Sequence, residues 1–339
     1  MPQSPATGSP NYVRRLILLA VFIVVLFGGY SGLWWYLAGQ LKARSATMLS
    51  NLSLSSIDAR CADLQVRGYP FRLGVYCDSV SAIDKRDRSS LKAGGFRSAA
   101  QIYAPNHIVS EVDGPVSIVA PTGDSGELEW DVLRTSTIFG LDGLSRGSVQ
   151  GTDTQAVIQL AATGQKVTLT TGNSEFHTRQ SGDDLDAVIR IDKGILAVDP
   201  GLDGLPGFSL EADATFADRA WLLSGRLSSG RDVPWRDVSG SLNGLLLHFD
   251  NGAELQMSGP FSVDGRGLLT GKFDMTVHEI GKLLETLADI VPGQEETLRN
   301  AAGMLTGVGS GGNGITLPLT IERGRVSISF FSLGRIPPL

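Results

Sequence analysis

The hydrophobic pattern divides the chain into a long uncharged segment near the start and a longer region of short apolar runs. Residues 16–38 contain no charged side chain. As an α-helix they extend about 34 Å, and the hydrocarbon core of a bilayer is about 30 Å thick. Trp34, Trp35 and Tyr36 lie at the far end, where aromatic rings favour the headgroup region. The pattern predicts a transmembrane helix at 16–38.

Two kinds of export signal share part of this pattern. A cleaved signal peptide has an apolar stretch of about 7–15 residues that ends in small residues, whereas this stretch is longer and ends in aromatic residues. Arg14 and Arg15 form the pair of a twin-arginine signal without its flanking pattern. We expect an uncleaved anchor, with a disordered cytoplasmic tail at 1–15 and a stalk helix at 39–54.

From residue 55 onward the periodicity is that of β-strands. Ser209–Phe216 alternates apolar and polar side chains, and turn pairs such as Asp203-Gly204 and Asn243-Gly244 separate the runs. No long amphipathic helix interrupts the strands, so an antiparallel meander is simpler than βαβ crossovers. The predicted fold is mainly β with minor α: a transmembrane helix, then a long curved antiparallel sheet, open or closed into a half-barrel.

Near the C-terminus the period changes to that of a helix. Thr276–Glu279 has the pattern of a capping box, and an apolar helical stripe follows it. We predict two helical runs within the segment 277–306. This segment belongs to a predicted extracytoplasmic β-rich domain at 55–339. These helices are expected to cover one face or end of the sheet. Two further strands, at 316–321 and 325–331, close the chain.

The two cysteines, Cys61 and Cys77, lie at equal distances from Tyr69, the centre of the turn signal Gly68-Tyr69-Pro70. In a hairpin that reverses there, they face each other with Cα atoms about 4.5–5.5 Å apart, within disulfide range. A disulfide indicates an oxidising compartment. Two free thiols are the alternative, and a metal site would lack half of its ligands. The positive-inside count nearly ties, so this disulfide decides the predicted orientation.

Charge excludes one class of partner. The chain has 29 basic and 35 acidic residues. Four of the basic residues precede Met48 and none of the acidic ones do, so the segment from 48 onward has a formal charge of 25 − 35 = −10. A nucleic-acid-binding protein needs a basic stripe. We therefore expect no nucleic acid as a partner, and the same balance weighs against adhesion of the body to anionic headgroups.

Segments near both ends of the chain carry a resemblance to a known family. Val66–Leu73, after a membrane helix with Trp-Trp-Tyr at its exit, and the closing Glu322–Phe330 and Gly334–Leu339 resemble an uncharacterised family of anchored envelope proteins from alphaproteobacteria. The resemblance implies a single-pass inner-membrane anchor with a periplasmic body, and it implies no activity. The pattern of predicted strands and helices is also similar to that of the AsmA-type envelope proteins, which are thought to hold or conduct lipids in a β groove.

The residues that carry chemistry are scattered. His107, His177, His248 and His278 have no zinc spacing. The Gly-rich 307–312 matches G-x-G-x-x-G without the strand and helix that a dinucleotide site needs, so a linker is the better interpretation. The acidic run at 183–186 suits a solvated turn better than a cation site. We predict no catalytic residues, no metal and no cofactor, and hence a protein that is not an enzyme.

One segment has an unusual composition: Gly68, Tyr69, Pro70, Phe71 and Arg72. It is a candidate contact motif, and a rigid turn whose rings pack into the core is the alternative. For the whole chain we expect a non-enzymatic protein that binds a lipid or another hydrophobic ligand in the cell envelope. The alternative is a structural or assembly protein that contacts envelope partners without a ligand.

Overall fold

The computed structural model describes residues 11–54, 57–141, 143–201, 205–224, 236–290, 296, 300, 314–328 and 331–339. A long helix, α1 (Asn11–Leu54), precedes twenty strands that form one open antiparallel sheet, and a second helix, α2 (Ile280–Ile290), lies near the end. This confirms the predicted class, mainly β with minor α. A short 3-10 helix spans Ala220–Ser224.

The first ten strands are β1 (Ile57–Ala62), β2 (Gln65–Arg67), β3 (Arg72–Cys77), β4 (Ser79–Asp84), β5 (Ser90–Ala93), β6 (Phe96–Gln101), β7 (Ala104–Val112), β8 (Val116–Val119), β9 (Ser125–Glu129) and β10 (Val132–Phe139). The others are β11 (Leu144–Gln159), β12 (Lys166–Ser181), β13 (Asp184–Asp199), β14 (Phe208–Phe216), β15 (Val238–Phe249), β16 (Glu254–Val263), β17 (Leu269–His278), β18 (Ile315–Glu322), β19 (Arg325–Ile328) and β20 (Phe331–Arg335).

The sheet is a meander of long strands, and each long strand pairs only with the long strands next to it in the chain. The first ten strands are the halves of five long strands, namely β1 with β2, β3 with β4, β5 with β6, β7 with β8, and β9 with β10. The two halves of one long strand pair with the two halves of the next, so that β1 pairs with β4 and β2 with β3, and this pattern continues to β9 and β10. Both halves join the long strand β11. From β11 to β20 each strand pairs with the next.

The breaks between the halves lie side by side and form what we call the kink line. Asp63 interrupts the first long strand with a left-handed φ of 50°, and Asp153 does the same in β11 with 47°. Neighbouring breaks are joined by backbone hydrogen bonds, from Asp78 N–H to the Ala62 carbonyl (2.8 Å) and from Gly94 N–H to the Asp113 carbonyl (3.1 Å). Because the breaks coincide, the sheet changes direction along one line.

Helix α1 packs against the start of the sheet, but only from Tyr30 onward. Every side chain from Tyr12 to Gly29 is exposed. Beyond that point the less exposed positions recur at helical spacing on the side that contacts β1 and β2: Tyr30, Ser31, Trp34, Ala38, Leu41, Ser45 and Leu49. The part of α1 without contact to the body therefore extends about 27 Å, close to the thickness of a hydrocarbon core.

The helix boundaries differ from the prediction. The predicted span at 16–38 and stalk at 39–54 are parts of one continuous helix, which is long and apolar enough to cross a membrane. The predicted tail at 1–15 is helical from Asn11, and residues 1–10 lie outside the described residues. Packing on the body begins at Tyr30, eight residues before the predicted end of the span. Hydropathy did not predict this, because it does not report tertiary contacts.

Hydrophobic burial is modest, as expected for one layer of sheet. Among the described residues no large side chain is fully buried. The main cluster joins Phe249, Ala253 and Val277 of the sheet region to Leu283 of α2. Helix α2 therefore covers one end of the apolar face of β14–β17, which confirms part of the predicted helical cover.

The predicted helical segment at 277–306 begins too early. Residues 277 and 278 belong to β17, and Thr276 shares a hydrogen bond with Thr316 of β18 (2.8 Å) instead of capping a helix. Glu279 adopts a left-handed φ of 53°, and α2 begins at Ile280. Pairing with β18 extends the strand through the expected cap. The second run, 294–306, lies outside the described residues apart from single helical positions.

Candidate functional site

The predicted disulfide between Cys61 and Cys77 is present, with Cα atoms 5.3 Å apart. The two residues are not direct partners in one hairpin, as the equal spacing around Tyr69 suggested. In the register of β1 and β4, Cys61 lies opposite Val80, whereas Cys77 ends β3, beside the break at Asp78. The disulfide therefore fastens the kink line where the sheet begins.

The candidate contact motif forms the turn between β2 and β3. Arg72 N–H donates to the Gly68 carbonyl (2.8 Å), and Gly68 has a φ of +119°. A Cβ at Gly68 would lie 2.8 Å from the Arg72 carbonyl oxygen, so this position requires glycine for its conformation and for the close approach. Tyr69 and Phe71 are exposed, and their rings do not form part of the core.

This turn docks on α1 through Trp34. The Trp34 side chain is only 3% exposed, and its indole N–H donates to the Arg72 carbonyl at 2.9 Å. The Trp34 ring also meets the Tyr69 ring edge-on, with centroids 5.5 Å apart. A buried indole with a satisfied N–H and an aromatic neighbour is a specific contact between helix and turn.

Two more side chains of α1 bind the same turn. The Tyr30 hydroxyl donates to the Pro70 carbonyl, and the hydroxyls of Ser31 and Tyr69 share a hydrogen bond of 2.8 Å. The motif predicted from composition is thus a contact between the sheet and α1. Tyr30 and Ser31 gave no separate signal in the sequence because they lie within an uncharged run.

Across the kink line from this turn, one face of the sheet carries a continuous apolar band. Residues opposite in register share a face, as do residues two apart in a strand. Two adjacent rows of such positions, each crossing eight strands, hold no polar side chain apart from the disulfide sulfur. The first row is Ala59, Ala82, Leu91, Ile118, Gly126, Ile158, Val167 and Val198. The second row is Cys61, Val80, Ala93, Val116, Leu128, Ala156, Leu169 and Leu196. We call these sixteen residues the apolar band.

Part of the apolar band is open to solvent. Leu91, Ile118 and Ile158 are 38%, 45% and 45% exposed. On each strand, the residue between the two rows lies on the other face. From β1 to β9 these residues are polar, and they include Lys92, Ser117 and Glu127. The alternation gives this region of the sheet one apolar and one solvated face, and the middle of the apolar face remains exposed.

Beyond the kink line, the polar face carries charges of alternating sign. Arg97, Glu111 and Arg134 follow one another across β6, β7 and β10, with Arg97 and Arg134 each paired to Glu111 at 3.5 and 2.9 Å. The same face continues with Arg190 paired to Glu211 at 2.8 Å. Exposed pairs of this kind contribute little to stability, and they keep this face solvated.

A Ser–His–Glu arrangement lies on the same polar face, and the sequence spacing gave no sign of it. The two ring nitrogens of His177 hydrogen-bond to Ser148 Oγ (2.9 Å) and Glu175 Oε2 (3.1 Å). Register explains the contact, because Ser148 lies opposite His177 and Glu175 is two residues away. Ser148 lies inside a strand paired on both sides, so its neighbouring backbone N–H groups face the ladders and form no oxyanion hole. The arrangement fits a polar cross-strand cluster.

The acidic run at 183–186 has protein partners. The Asp184 carboxylate accepts from Asp218 N–H (2.9 Å), and Asp186 accepts from Arg179 (2.7 Å) and Thr215 (2.9 Å). The hydrogen bond from Arg179 holds the pKa of Asp186 below its ordinary value. No group of three or more His, Cys, Asp or Glu residues is placed to hold a metal ion in the described part of the chain.

Comparison with known proteins places the chain in a family. No curated protein and no solved structure matches it. One family model matches residues 34–337, from the buried Trp34 to the last residues after β20, and its description is "Uncharacterized protein conserved in bacteria (DUF2125)". Since this match covers most of the 339 residues, the chain belongs to the DUF2125 family.

Proposed function

We propose that this protein is a single-pass protein of a bacterial inner membrane whose body lies in the periplasm and holds a lipid by its acyl chains. The observation that carries the proposal is the apolar band, of which Leu91, Ile118 and Ile158 are open to solvent. The disulfide supports the oxidising compartment, and α1 supports the anchor. The protein is proposed to act without catalysis.

The shape of the apolar band favours acyl chains over a compact ligand. The band crosses eight strands, or about 34 Å at about 4.8 Å per strand, and is two rows wide. It holds no charged side chain, so it offers nothing to orient a polar ring or an ionic group. A long, narrow apolar surface matches an extended hydrocarbon chain. The proposal includes an alphaproteobacterial origin and a similarity to the AsmA-type envelope proteins.

A matched pair of variants tests it. Ile118→Asp places a charge in the apolar band, whereas Ser117→Asp places the same charge one residue away on the opposite face. The full-length protein would be extracted from membranes containing a lipid with a photoreactive acyl chain, irradiated and analysed by mass spectrometry. We expect adducts at band residues in the wild type and in Ser117→Asp, and their loss in Ile118→Asp.

Two results would contradict acyl-chain binding. One is equal labelling of the two variants, and the other is labelling confined to the exposed part of α1. If either were accompanied by a specific crosslink to another envelope protein, the result would favour the alternative function, a structural or assembly protein without a ligand.

A further inference from the structure

Three neighbouring turns at the α1 end of the sheet carry exposed apolar side chains. They are the turn 68–71 after β2, the turn 102–103 after β6 and the turn 139–141 that ends β10. We call these turns the membrane-side rim. Their exposed side chains are Tyr69 (49%), Phe71 (67%), Tyr103 (76%), Phe139 (42%) and Leu141 (104%). We infer that the membrane-side rim inserts into the headgroup–acyl boundary of the bilayer that α1 crosses.

The three turns are held together. Ile102 N–H donates to the Phe71 carbonyl (3.1 Å), which joins the first turn to the second. The Asn106 side chain donates to the Phe139 carbonyl (3.3 Å), which joins the start of β7 to the third. The exposed side chains therefore form one continuous edge and are not isolated residues on separate loops.

Exposed aromatic residues are concentrated at this edge. Outside the free part of α1, seven aromatic residues are exposed among the described residues, and six of them lie on the membrane-side rim or at the same level of α1: Trp35, Tyr36, Tyr69, Phe71, Tyr103 and Phe139. Phe176, within the sheet, is the seventh. Tyr and Trp side chains favour the membrane interface because one end is apolar and the other can remain hydrated, and the two Phe rings add apolar area that lipid can cover.

The opposite end of the same strands has a different composition. The turn 85–88 between β4 and β5 consists of Lys85, Arg86, Asp87 and Arg88, all of them exposed. The next turn at that end, 120–124, reads Ala-Pro-Thr-Gly-Asp. Turns with exposed aromatic side chains therefore lie at one end of the five long strands, and a charged turn and a turn without aromatic residues lie at the other. A membrane at one end only would select this difference.

The contacts with α1 fix the depth of the membrane-side rim. A helix needs about 20 residues to cross the hydrocarbon core. Counted from Leu16, the first residue after Arg14 and Arg15, such a span ends near Trp35. The turn 68–71 binds α1 at Tyr30, Ser31 and Trp34, which lie in the last turns of this span. Docking there places the turn at the level of the outer interface.

The backbone of the first turn is prepared for a medium with little water. Three of its carbonyl groups accept hydrogen bonds from the protein: Gly68 from Arg72 N–H, Pro70 from Tyr30 and Phe71 from Ile102 N–H. The carbonyl of Arg72, the first residue of β3, accepts from Trp34. Pro70 has no N–H to satisfy. An unsatisfied backbone group in the apolar region costs several kcal/mol, whereas an ordinary surface turn can use water. This internal satisfaction fits a turn that meets lipid.

The inference requires the membrane-spanning role proposed for α1, but it does not depend on the ligand proposed for the apolar band. The test uses full-length protein in vesicles of phosphatidylethanolamine and phosphatidylglycerol. Single cysteines would be introduced as Phe71→Cys, Tyr103→Cys, Arg86→Cys and Phe22→Cys and labelled with an environment-sensitive fluorophore. Cys61 and Cys77 are joined to each other and remain unlabelled.

We expect labels at 71 and 103 to be several-fold brighter and blue-shifted relative to the label at 86. Nitroxide-bearing lipids should quench them, and iodide should not. The label at 22 reports on the span alone. If iodide quenched the labels at 71 and 103 as strongly as the label at 86, while the label at 22 stayed protected, the docking would be overturned and the anchor would stand. Access at 22 as well would overturn the anchor and the docking with it. Protection from iodide without quenching by lipid would identify a protein cover and also overturn the inference.

Discussion

At the residue scale, the contact between Trp34 and the turn 68–71 joins the helix to the sheet. We expect Trp34→Phe to lower the free energy of unfolding by about 1–3 kcal/mol, because the partly buried hydrogen bond to the Arg72 carbonyl is lost and the buried Trp34 ring is replaced by a smaller one. Trp35→Phe is the control, since Trp35 is 69% exposed. Urea unfolding of the detergent-solubilised protein, followed by circular dichroism, measures both. Equal losses would show that the hydrogen bond of Trp34 contributes nothing specific.

The disulfide makes a second prediction at this scale. Replacing both partners, as Cys61→Ser with Cys77→Ser, should remove about 3 kcal/mol, the chain-entropy value for a loop of about 15 residues. In wild-type protein taken from intact cells, we expect a maleimide to react with the thiols only after reduction. Reaction without a reductant would argue against the oxidising compartment as well as against the disulfide.

Asp186 predicts a dependence on pH. The hydrogen bond from Arg179 lowers the pKa of Asp186 in the folded protein, so this carboxylate stabilises the fold above its unfolded pKa and loses that contribution as the pH falls through the folded value. The partner Arg179 is 58% exposed, so we expect less than about 1 kcal/mol. Asp186→Asn should be the less stable protein at pH 7 and should approach the wild type in acid.

Unfolding midpoints measured across this pH range test the sign. The exposed Asp192, changed to Asn, is the control and should differ little from the wild type at either pH. A constant gap between Asp186→Asn and the wild type, down to the lowest pH at which both fold, would show that the carboxylate charge is not responsible.

At the element scale, α2 is the described element that covers the apolar face of β14–β17. Leu283 is 8% exposed and packs with Phe249 and Val277. Leu283→Ala should therefore cost about 2–5 kcal/mol, from lost burial and the cavity that remains. Glu285→Ala, on the exposed side of the same helix, should change stability by less than about 0.5 kcal/mol. Thermal unfolding compares them, and similar effects would mean that α2 is not docked.

Several elements follow from local sequence, and others depend on tertiary contact. Alternation over Ser209–Phe216 predicts β14 correctly because side chains on a half-buried strand alternate whatever the partner strands are. The capping pattern at Thr276 fails because pairing with β18 carries β17 two residues further. The disulfide could be predicted from spacing, but the register could not, because the left-handed Gly68 and the break at Asp78 shift the turn.

The candidate sites were predictable to different degrees. Unusual composition drew attention to the turn 68–72, but its partner on α1 is invisible to hydropathy, since Tyr30 and Ser31 interrupt the apolar run only weakly. The apolar band is assembled from eight strands, each of which contributes two ordinary residues, such as Ile118 of β8 and Ile158 of β11. Such a surface emerges only when the register of all the strands is known.

At the scale of the whole molecule, a single layer of sheet should vary in local stability along its length. Strands paired on both sides over most of their length, such as β12 and β13, lose amide protection there only when neighbouring strands open. We expect their central amides to exchange most slowly, and those of β20, which pairs on one side with β19, to exchange among the fastest. Hydrogen exchange followed by mass spectrometry measures this gradient, and uniform protection would indicate global opening as one unit.

The meander has a consequence for how the chain acquires its structure. Each long strand needs only the long strand made just before it, so a polypeptide that emerges N-terminus first can pair each segment on arrival. Such neighbour-only pairing keeps the sequence separation of contacts small and favours fast folding for a β protein. A chain held at its first helix would present a growing edge, onto which each new strand adds without waiting for the end of synthesis.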